Sequence, residues 1–490
     1  MEIKLLVEEL GSVASQLRNN IDITGVDLDS RNIKKGYCFV AIKGYTEDGH
    51  KYIEKAISNG ASTIILTDDK YILDNDVNYI VVCNSRRALA IASNIFYENP
   101  SADITLIGVT GTNGKTTTAQ TIEKMLTGLK KKTAVFGTIG NKVGDKIYST
   151  NNTTPESPEL NRLFSLMKED NVNSAVIEVS SHALELDRVY GLDFDIAVFT
   201  NLTPEHLDFH GDMEKYCKAK EKLFYMTKSG NVINTDDEYG MKIYEELNGE
   251  GYDVLSVGLD KSSDISAKNI VITTKGSEFE LVTPEFTTDI SIKLRGRVFI
   301  YNYLCAVGVL ILLGYSQEDI VLASTFIESV EGRLESVKND KGLNVFVDYA
   351  HTPDAIDKII DIVRELTSGK VIVVFGCGGD RDKLKRPVMG EIVSRKADMA
   401  IITSDNPRNE DSNTIISEIK AGIAVENQSK VIIEGDRRQA IELAIGNLNK
   451  EDVLVIAGKG HEDYQIIGNT KFDFDDAVIA SEIINNNNMI

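Results

Sequence analysis

The chain has 490 residues, well beyond the ~250–300 at which a single hydrophobic core stops growing, so several domains are expected. A net charge of −22 argues against broad nucleic-acid or anionic-membrane binding, although a local basic pocket can still hold phosphates. Apolar residues make up 42 %, ordinary for a soluble globular protein, and no apolar run reaches the ~18 residues of a membrane helix.

Residues 1–98 carry short strand and helix signals, clearest at Phe39-Val40-Ala41-Ile42 and Thr63-Ile64-Ile65-Leu66. The start, Met1-Glu2-Ile3-Lys4, lacks the basic end, apolar core and small-residue cleavage site of a signal peptide. Five cysteines (Cys38, Cys83, Cys217, Cys305 and Cys377) lie far apart with no C-x-x-C pair, which reads as reduced thiols in a cytoplasmic protein. Tyr97-Glu98-Asn99-Pro100 reads as a hinge into the next domain.

The segment 99–330 opens on the strongest motif of the chain. Ile104 to Val109 reads as a buried strand, followed by Gly111-Thr112-Asn113-Gly114-Lys115-Thr116-Thr117-Thr118. From Ala119 to Leu129, Ile122, Met125, Leu126 and Leu129 recur at helical spacing. Strand, glycine loop and helix in that order make a phosphate cradle. The glycines let backbone N–H groups close on an anion, the helix N-terminus adds partial positive charge, and Lys115 reaches the outer phosphates. Thr116 is placed to offer its hydroxyl to Mg²⁺. The general pattern would put its first glycine at 109, where the chain has Val109, so Thr110 to Thr118 is a narrower signature. Residues 175–179 and 196–200 read as further inner strands of an α/β sheet.

The chain has six histidines (His50, His182, His206, His210, His351 and His461), all in polar clusters. Glu178 stands near the end of the 175–179 strand, where a cation ligand is expected, and His206 lies just past the next strand. A hard cation bound mainly by oxygen, with occasional imidazole, fits these two loops and leaves Mg²⁺ and Mn²⁺ both open.

In the segment 331–490, apolar runs at 344–348, 371–376, 399–404, 431–434 and 453–457 alternate with helical patterns starting near 353, 387, 413 and 437. That alternation implies a parallel, doubly wound, Rossmann-like sheet. The loops after the strands carry Asp348 to His351, Gly376 to Asp382, Ser404 to Arg408, Gly435 to Arg438 and Gly458 to Glu462. Open α/β sheets bind ligands outside the carboxyl ends of their strands, so these loops face a small charged ligand. Asn406-Pro407 is also a plain turn signal. The run Asn485 to Asn488 reads as a frayed end.

These motifs together resemble the Mur ligases of peptidoglycan precursor synthesis, over essentially the whole chain. Thr110 to Thr118 is similar to that family's ATP loop. Asp29-Ser30-Arg31, Gly36, Phe39-Val40-Ala41 and Asp48-Gly49-His50 are similar to a uridine-diphosphate-binding N-terminal domain. Asn152-Thr153-Thr154-Pro155-Glu156-Ser157, Ser180 and Arg188 resemble the sugar-peptide contacts of the central domain. Arg381, Lys385-Arg386-Pro387, Asp405-Asn406-Pro407-Arg408, Gly458 and Glu462 resemble an amino-acid pocket for diaminopimelate. Asn302 and Arg333, the latter in Gly332-Arg333-Leu334-Glu335, resemble ATP contacts. Leu186 stands where several relatives carry glutamine, Val298-Phe299 where the family usually has Phe-Asn, and Ser412 where a proline is common.

The resemblance implies an α/β protein of three domains: 1–98 binding the UDP-sugar, 99–330 binding ATP, and 331–490 binding the amino acid. It implies an ATP- and Mg²⁺-dependent ligase that activates the D-glutamyl γ-carboxylate of UDP-N-acetylmuramoyl-L-Ala-D-Glu as an acyl phosphate, which the amine of meso-diaminopimelate attacks. Lys115, Glu178, His206 and Lys220 would then be catalytic, with Gly111, Thr112, Asn113, Gly114, Thr116 and Thr117 around ATP. Thr116, Glu178, His206 and Lys220 would surround the metal, Lys220 as a carbamate. On the residues alone, Lys220 is one lysine on a charged helix face beside Lys218 and Lys222. The partners implied are small molecules, without nucleic acid or membrane insertion, and the chain is expected to act as a monomer. Alternatives are the L-lysine-adding form of the ligase, a folylpolyglutamate synthetase-like ligase, and a P-loop ATP-binding regulatory protein.

Overall fold

The computed structural model describes residues 1–11, 14–45, 47–150, 152–259 and 262–486. Met1–Ser266 with Leu304–Ala323 form one unit, and Ala267–Tyr303 with Ser324–Ile490 form another. Among the described residues no helix is long and apolar enough to cross a membrane.

In the first unit, an N-terminal sheet runs in the order Ala14–Gln16, Asn78–Val81, Thr63–Leu66, Cys38–Val40, Val26–Asp27. The strand Thr63–Leu66 is buried along its whole length, as a parallel strand covered on both faces must be. A second sheet is centred on β1 (Thr105–Thr110). Across it lie β2 (Thr133–Gly137), β3 (Ser174–Glu178), β1, β4 (Phe194–Phe199) and β5 (Thr227–Asn234), each parallel to its neighbours. Because β1 runs between β3 and β4, the glycine loop, Glu178 and the segment from Thr200 onward leave the sheet at the same edge. Helix α1 (Lys115–Gly128) starts earlier than the apolar spacing alone predicts, because Gly114 in a left-handed turn (φ +85°) leads straight into its first turn. Helix α2 (Met213–Glu221) starts at Asp212, whose side chain accepts from Lys215 N at 2.8 Å.

The second unit holds the expected doubly wound sheet. Its parallel strands are β6 (Asn344–Asp348), β7 (Val371–Phe375), β8 (Met399–Ile402), β9 (Val431–Ile433) and β10 (Val453–Ala457), in the spatial order β6-β10-β7-β8-β9. The helices Pro353–Leu366, Lys385–Lys396, Ser412–Lys420 and Arg437–Gly446 alternate with them. Val345, Val347, Ile372, Val374, Leu454 and Ile456 meet Ile441, Ile445, Ile479 and Ile483 in one core. Insertion of β10 between β6 and β7 sets the loops after β6, β10, β7 and β8 side by side, the position at which such sheets take ligands. After β10 the chain makes an antiparallel hairpin, β11 (Tyr464–Ile467) and β12 (Thr470–Asp473), and ends in the helix Asp476–Asn486. That helix takes in the first two asparagines of the 485–488 run; the other two lie outside the described residues.

Candidate active site

In the first unit the glycine loop is shaped by the end of β4. Gly111 (φ +146°) approaches Thr200 so closely that a Cβ would stand 1.9 Å from its Oγ1. Thr112 N donates to Asn201 O at 2.8 Å, Asn113 N to Asn201 Oδ1 at 3.0 Å, and Thr200 Oγ1 to Asn113 O at 2.6 Å. The N–H groups of the first turn of α1, which includes Thr116 and the buried Thr117, follow directly. Lys115 folds back along the loop, donating to Gly111 O at 2.9 Å and Thr112 O at 2.8 Å.

Glu178, buried at the end of β3, accepts from Thr116 Oγ1 at 3.0 Å, Thr138 N at 3.0 Å and Thr138 Oγ1 at 3.2 Å. It does not cap the following helix, Ser181–Glu185; the Ser180 side chain does that by accepting from Ala183 N. A hydroxyl and a carboxylate meeting at the start of α1 are hard oxygen donors, a set that fits Mg²⁺. Among the described residues no group of three or more His, Cys, Asp or Glu is placed to hold a metal, so other oxygens must complete any such shell.

The fold separates three lysines that look equivalent in the sequence. Lys218 and Lys222 are exposed and pair with Glu221 at 3.6 Å and Glu185 at 2.6 Å. Lys220, 1 % exposed, turns inward, donates to Gly111 O at 2.8 Å and lies 4.7 Å from the centre of the Tyr216 ring. Burial, and then the charge of Lys115, push its ammonium well below the usual lysine range. The Tyr216 hydroxyl stands 3.2 Å from Thr112 Oγ1, and burial pushes the phenol up to about 12. Its ring is 5.0 Å from His210 and 6.3 Å from His206. His206 is half-exposed in a left-handed backbone (φ +55°), 4.7 Å from the ring of His182. Burial, followed by His206 and His210, pushes His182 down to about 4. Thr116 and Glu178 therefore meet directly, whereas Lys220 and His206 are related through Tyr216.

A cavity of about 710 Å³ in the same unit is lined by Asp29, Ser30, Arg31, Arg86, Asn152 and Glu156. A hydrogen-bonded run joins its wall to Glu178. Arg188 pairs through Nε with Glu156 at 2.8 Å and donates through Nη1 to Thr154 O at 3.0 Å. Thr154 Oγ1 donates to Glu178 O at 2.8 Å and accepts from Ser180 N at 3.0 Å, and Thr153 Oγ1 lies 3.2 Å from Thr138 Oγ1.

In the second unit Asn302 is buried on the helix Arg297–Leu312. The Arg333 guanidinium lies 5.1 Å from the Tyr349 ring centre. Neighbouring Asp348 accepts from Leu334 N at 2.7 Å and Ala350 N at 2.8 Å, and burial pushes its carboxyl up.

The loops after β7, β8 and β10 are bonded to one another. A Cβ on Gly379 would stand 1.9 Å from Pro407 O, and one on Gly458 (φ +115°) 2.6 Å from Asp405 Oδ2, so both loops need glycine. Asn406 Nδ2 donates to Glu462 Oε2 at 2.7 Å while its Oδ1 accepts from Ile466 N at 2.8 Å, so this amide bridges loops as well as sitting in a turn. Arg408, left-handed at φ +50°, donates through Nη1 to Gly379 O at 2.9 Å and Asn406 O at 3.4 Å. A non-glycine residue held there costs about 1 kcal/mol or more and points to a positional demand. Arg381 is exposed, with Nη1 donating to Asp380 O at 3.2 Å. Burial, then Asp405, push the Glu462 carboxyl up.

Two contributors, Thr138 and Tyr216, are not singled out by sequence reasoning. Thr138 completes the grip on Glu178, and its only signal is its place just past β2. Tyr216 stands four residues before Lys220 on α2, the spacing of neighbours on one helix face. Arg386, fully buried, donates to both oxygens of Glu410 at 3.0 Å and to Gly378 O at 3.2 Å, tying the loop after β7 to the loop after β8. The Glu410 carboxyl falls to about 2 mainly through the Arg386 guanidinium. Arg437, just after the loop that follows β9, turns inward to Asp476 and is fully buried.

The family profile described as Mur ligase family, catalytic domain, matches residues 22–97; Mur ligase middle domain matches 109–310; and Mur ligase, glutamate ligase domain, matches 332–460. The UDP-N-acetylmuramoyl-L-alanyl-D-glutamate–2,6-diaminopimelate ligase of Caldanaerobacter subterraneus subsp. tengcongensis is 44 % identical over 481 residues, covering 98 % of each chain. The protein of the same name from Clostridioides difficile is 43 % identical, covering 99 % of each. A solved structure of a ligase of that name superposes with a TM-score of 0.70 at 31 % identity, covering 94 % of each chain.

Proposed function

The chain belongs to the Mur ligase family, and we propose that it joins meso-diaminopimelate to the D-glutamyl γ-carboxylate of UDP-N-acetylmuramoyl-L-alanyl-D-glutamate, using ATP. The observation that carries the substrate choice is the charged loop cluster of the second unit. It sets a guanidinium, Arg408, beside two carboxylates, Asp405 and Glu462, bridged by Asn406. A diaminopimelate side chain ends in a carboxylate and an ammonium, whereas lysine ends in an ammonium alone. Among the described residues the Arg408 guanidinium bonds through Nη1, which leaves the rest of its fork for a carboxylate.

A carboxylate resists amine attack until one oxygen becomes a leaving group. The γ-phosphoryl group of ATP passes to the γ-carboxylate, releasing ADP; the diaminopimelate nitrogen adds to the acyl carbon, and the C–O bond to phosphate breaks as the amide forms. No protein nucleophile is needed, so positioning and charge neutralisation provide the catalysis. The loop 111–117 and Lys115 hold the phosphates, with Asn302 and Arg333 contributing to the ATP site. Ser30, Asn152, Thr153, Thr154, Ser180 and Arg188 hold the nucleotide-sugar dipeptide along the cavity wall. Thr116 and Glu178 would hold Mg²⁺, with His206 nearby, and the bound ion supplies charge neutralisation to phosphate oxygens. CO₂ adds to a neutral amine; the buried Lys220, whose ammonium is disfavoured, meets that condition for carbamylation, whereas Lys218 and Lys222 are exposed and ion-paired. The chain acts as a monomer in the cytoplasm, where its free cysteines stay reduced.

ADP release with the UDP-muramoyl dipeptide and a panel of amino acids tests this reading. Stimulation by meso-diaminopimelate well above L-lysine is expected. Preference for L-lysine would replace the substrate, and no response to any amino acid would remove the ligase function.

A further inference from the structure

Behind the amino-acid pocket lies an ion pair that touches neither solvent nor the pocket's mouth. Arg437 and Asp476 have fully buried side chains and meet as a fork, Nε to Oδ1 at 2.8 Å and Nη2 to Oδ2 at 2.6 Å. The same guanidinium reaches two strand ends, donating through Nη2 to Ala457 O at 3.1 Å and through Nη1 to Ser404 O at 3.4 Å. Ala457 is the last residue of β10, immediately before the loop that carries Glu462. Ser404 immediately precedes Asp405-Asn406-Pro407-Arg408.

Asp476 opens the helix that follows the β11–β12 hairpin. One guanidinium thus holds both ends of the 457–476 segment together with the entry to the Arg408 loop. Between those ends the hairpin runs along the Arg408 loop: Gln465 Nε2 donates to Asp405 O at 2.7 Å, and Arg408 N to Ile466 O at 3.1 Å. Movement at either strand end would therefore alter the spacing between Arg408 and Glu462.

We infer that the Arg437–Asp476 pair is a positioning device that sets the distance between the carboxylate-binding and ammonium-binding sides of the amino-acid pocket. This rests on the ligase reading above. The pair is neutral as a unit, so removing both members leaves the formal charge around Glu462 (Arg408 and Lys459 against Asp405 and Glu462) unchanged and isolates geometry from electrostatics. Replacing a buried ion pair by apolar residues of similar volume is often neutral or stabilising, whereas removing one member strands a buried charge.

The experiment compares wild type, the double variant Arg437→Met with Asp476→Val, and Arg437→Lys in the full chain. Thermal melts are run with ADP release titrated separately against meso-diaminopimelate, ATP and the UDP-dipeptide. The double variant should melt close to wild type and raise the KM for meso-diaminopimelate about tenfold or more, with kcat and the other two KM values within about threefold. A merely structural role would lower active enzyme, hence kcat for every substrate, without singling out one KM. A folded double variant with an unchanged diaminopimelate KM overturns the inference. Should the double variant not fold, Arg437→Lys, which keeps the pair's charge and removes its fork, decides by the same KM comparison. A wild type that no amino acid stimulates takes down the ligase reading and this inference together, a result distinct from an active wild type with an indifferent variant.

Discussion

Gly137, the last residue of β2, makes the grip on Glu178 testable without touching any polar group. A Cβ built there stands 2.0 Å from Glu178 Oε1 and 2.6 Å from its Cδ, where ordinary contacts begin at 3.4 Å. Gly137 is not among the residues with positive φ, so alanine meets no backbone penalty and the clash acts alone. Glu178 is 2 % exposed and its carboxylate is held from Thr116 and Thr138, so it cannot swing to solvent. In Gly137→Ala the carboxylate must retreat by more than 1 Å, losing at least one hydrogen bond to a charged group, each worth ~1.5–3 kcal/mol. A misplacement of about 1 Å can cost a reaction ~10²-fold, so kcat for ADP release should fall by about that factor. Gly249→Ala, where a Cβ meets nothing within 4 Å, serves as the control and should behave as wild type. Both variants should remain folded by circular dichroism. A folded Gly137→Ala enzyme with kcat within threefold of wild type would refute the role given to Glu178.

Lys220→Ala should be inactive and partly rescued by short carboxylic acids, while Lys218→Ala, which removes an exposed partner of Glu221, stays close to wild type; an active Lys220→Ala enzyme removes the carbamate. Arg408→Ala should raise the KM for meso-diaminopimelate by about 10²-fold or more, as expected for losing a bidentate carboxylate contact, and leave that for ATP nearly unchanged; equal losses for both would sink the assignment. Glu410 has its pKa lowered in the folded state, from 4.5 to about 2, so its contribution to stability is present above pH 4.5 and lost as pH falls through about 2. Melts of Glu410→Gln should therefore lie below wild type at pH 7 and converge on it as the pH is lowered across that window; a gap independent of pH would contradict the Arg386 pairing.

Different physics governs what was and was not legible in the sequence. The strand–glycine–helix order around Lys115 and the alternation of apolar runs with helical spacing after 331 are local patterns, and both foretell the sheets that form. Their meeting points are not local. Glu178 and Thr116 are 62 residues apart and come together because β3 pairs with β1, a register no short window contains. Lys220 shows this most sharply. Alternating lysines on a short helix give no reason to prefer one, and the choice is made by which face of α2 packs on Gly111 and Tyr216. Arg437 shows the converse. Its loop has the charged, glycine-containing look of a ligand contact, yet it faces Asp476 in the core. A charge after a β-strand thus marks the ligand edge of the sheet, but whether it meets the ligand or holds the loops that do is decided by the partner it finds in the fold.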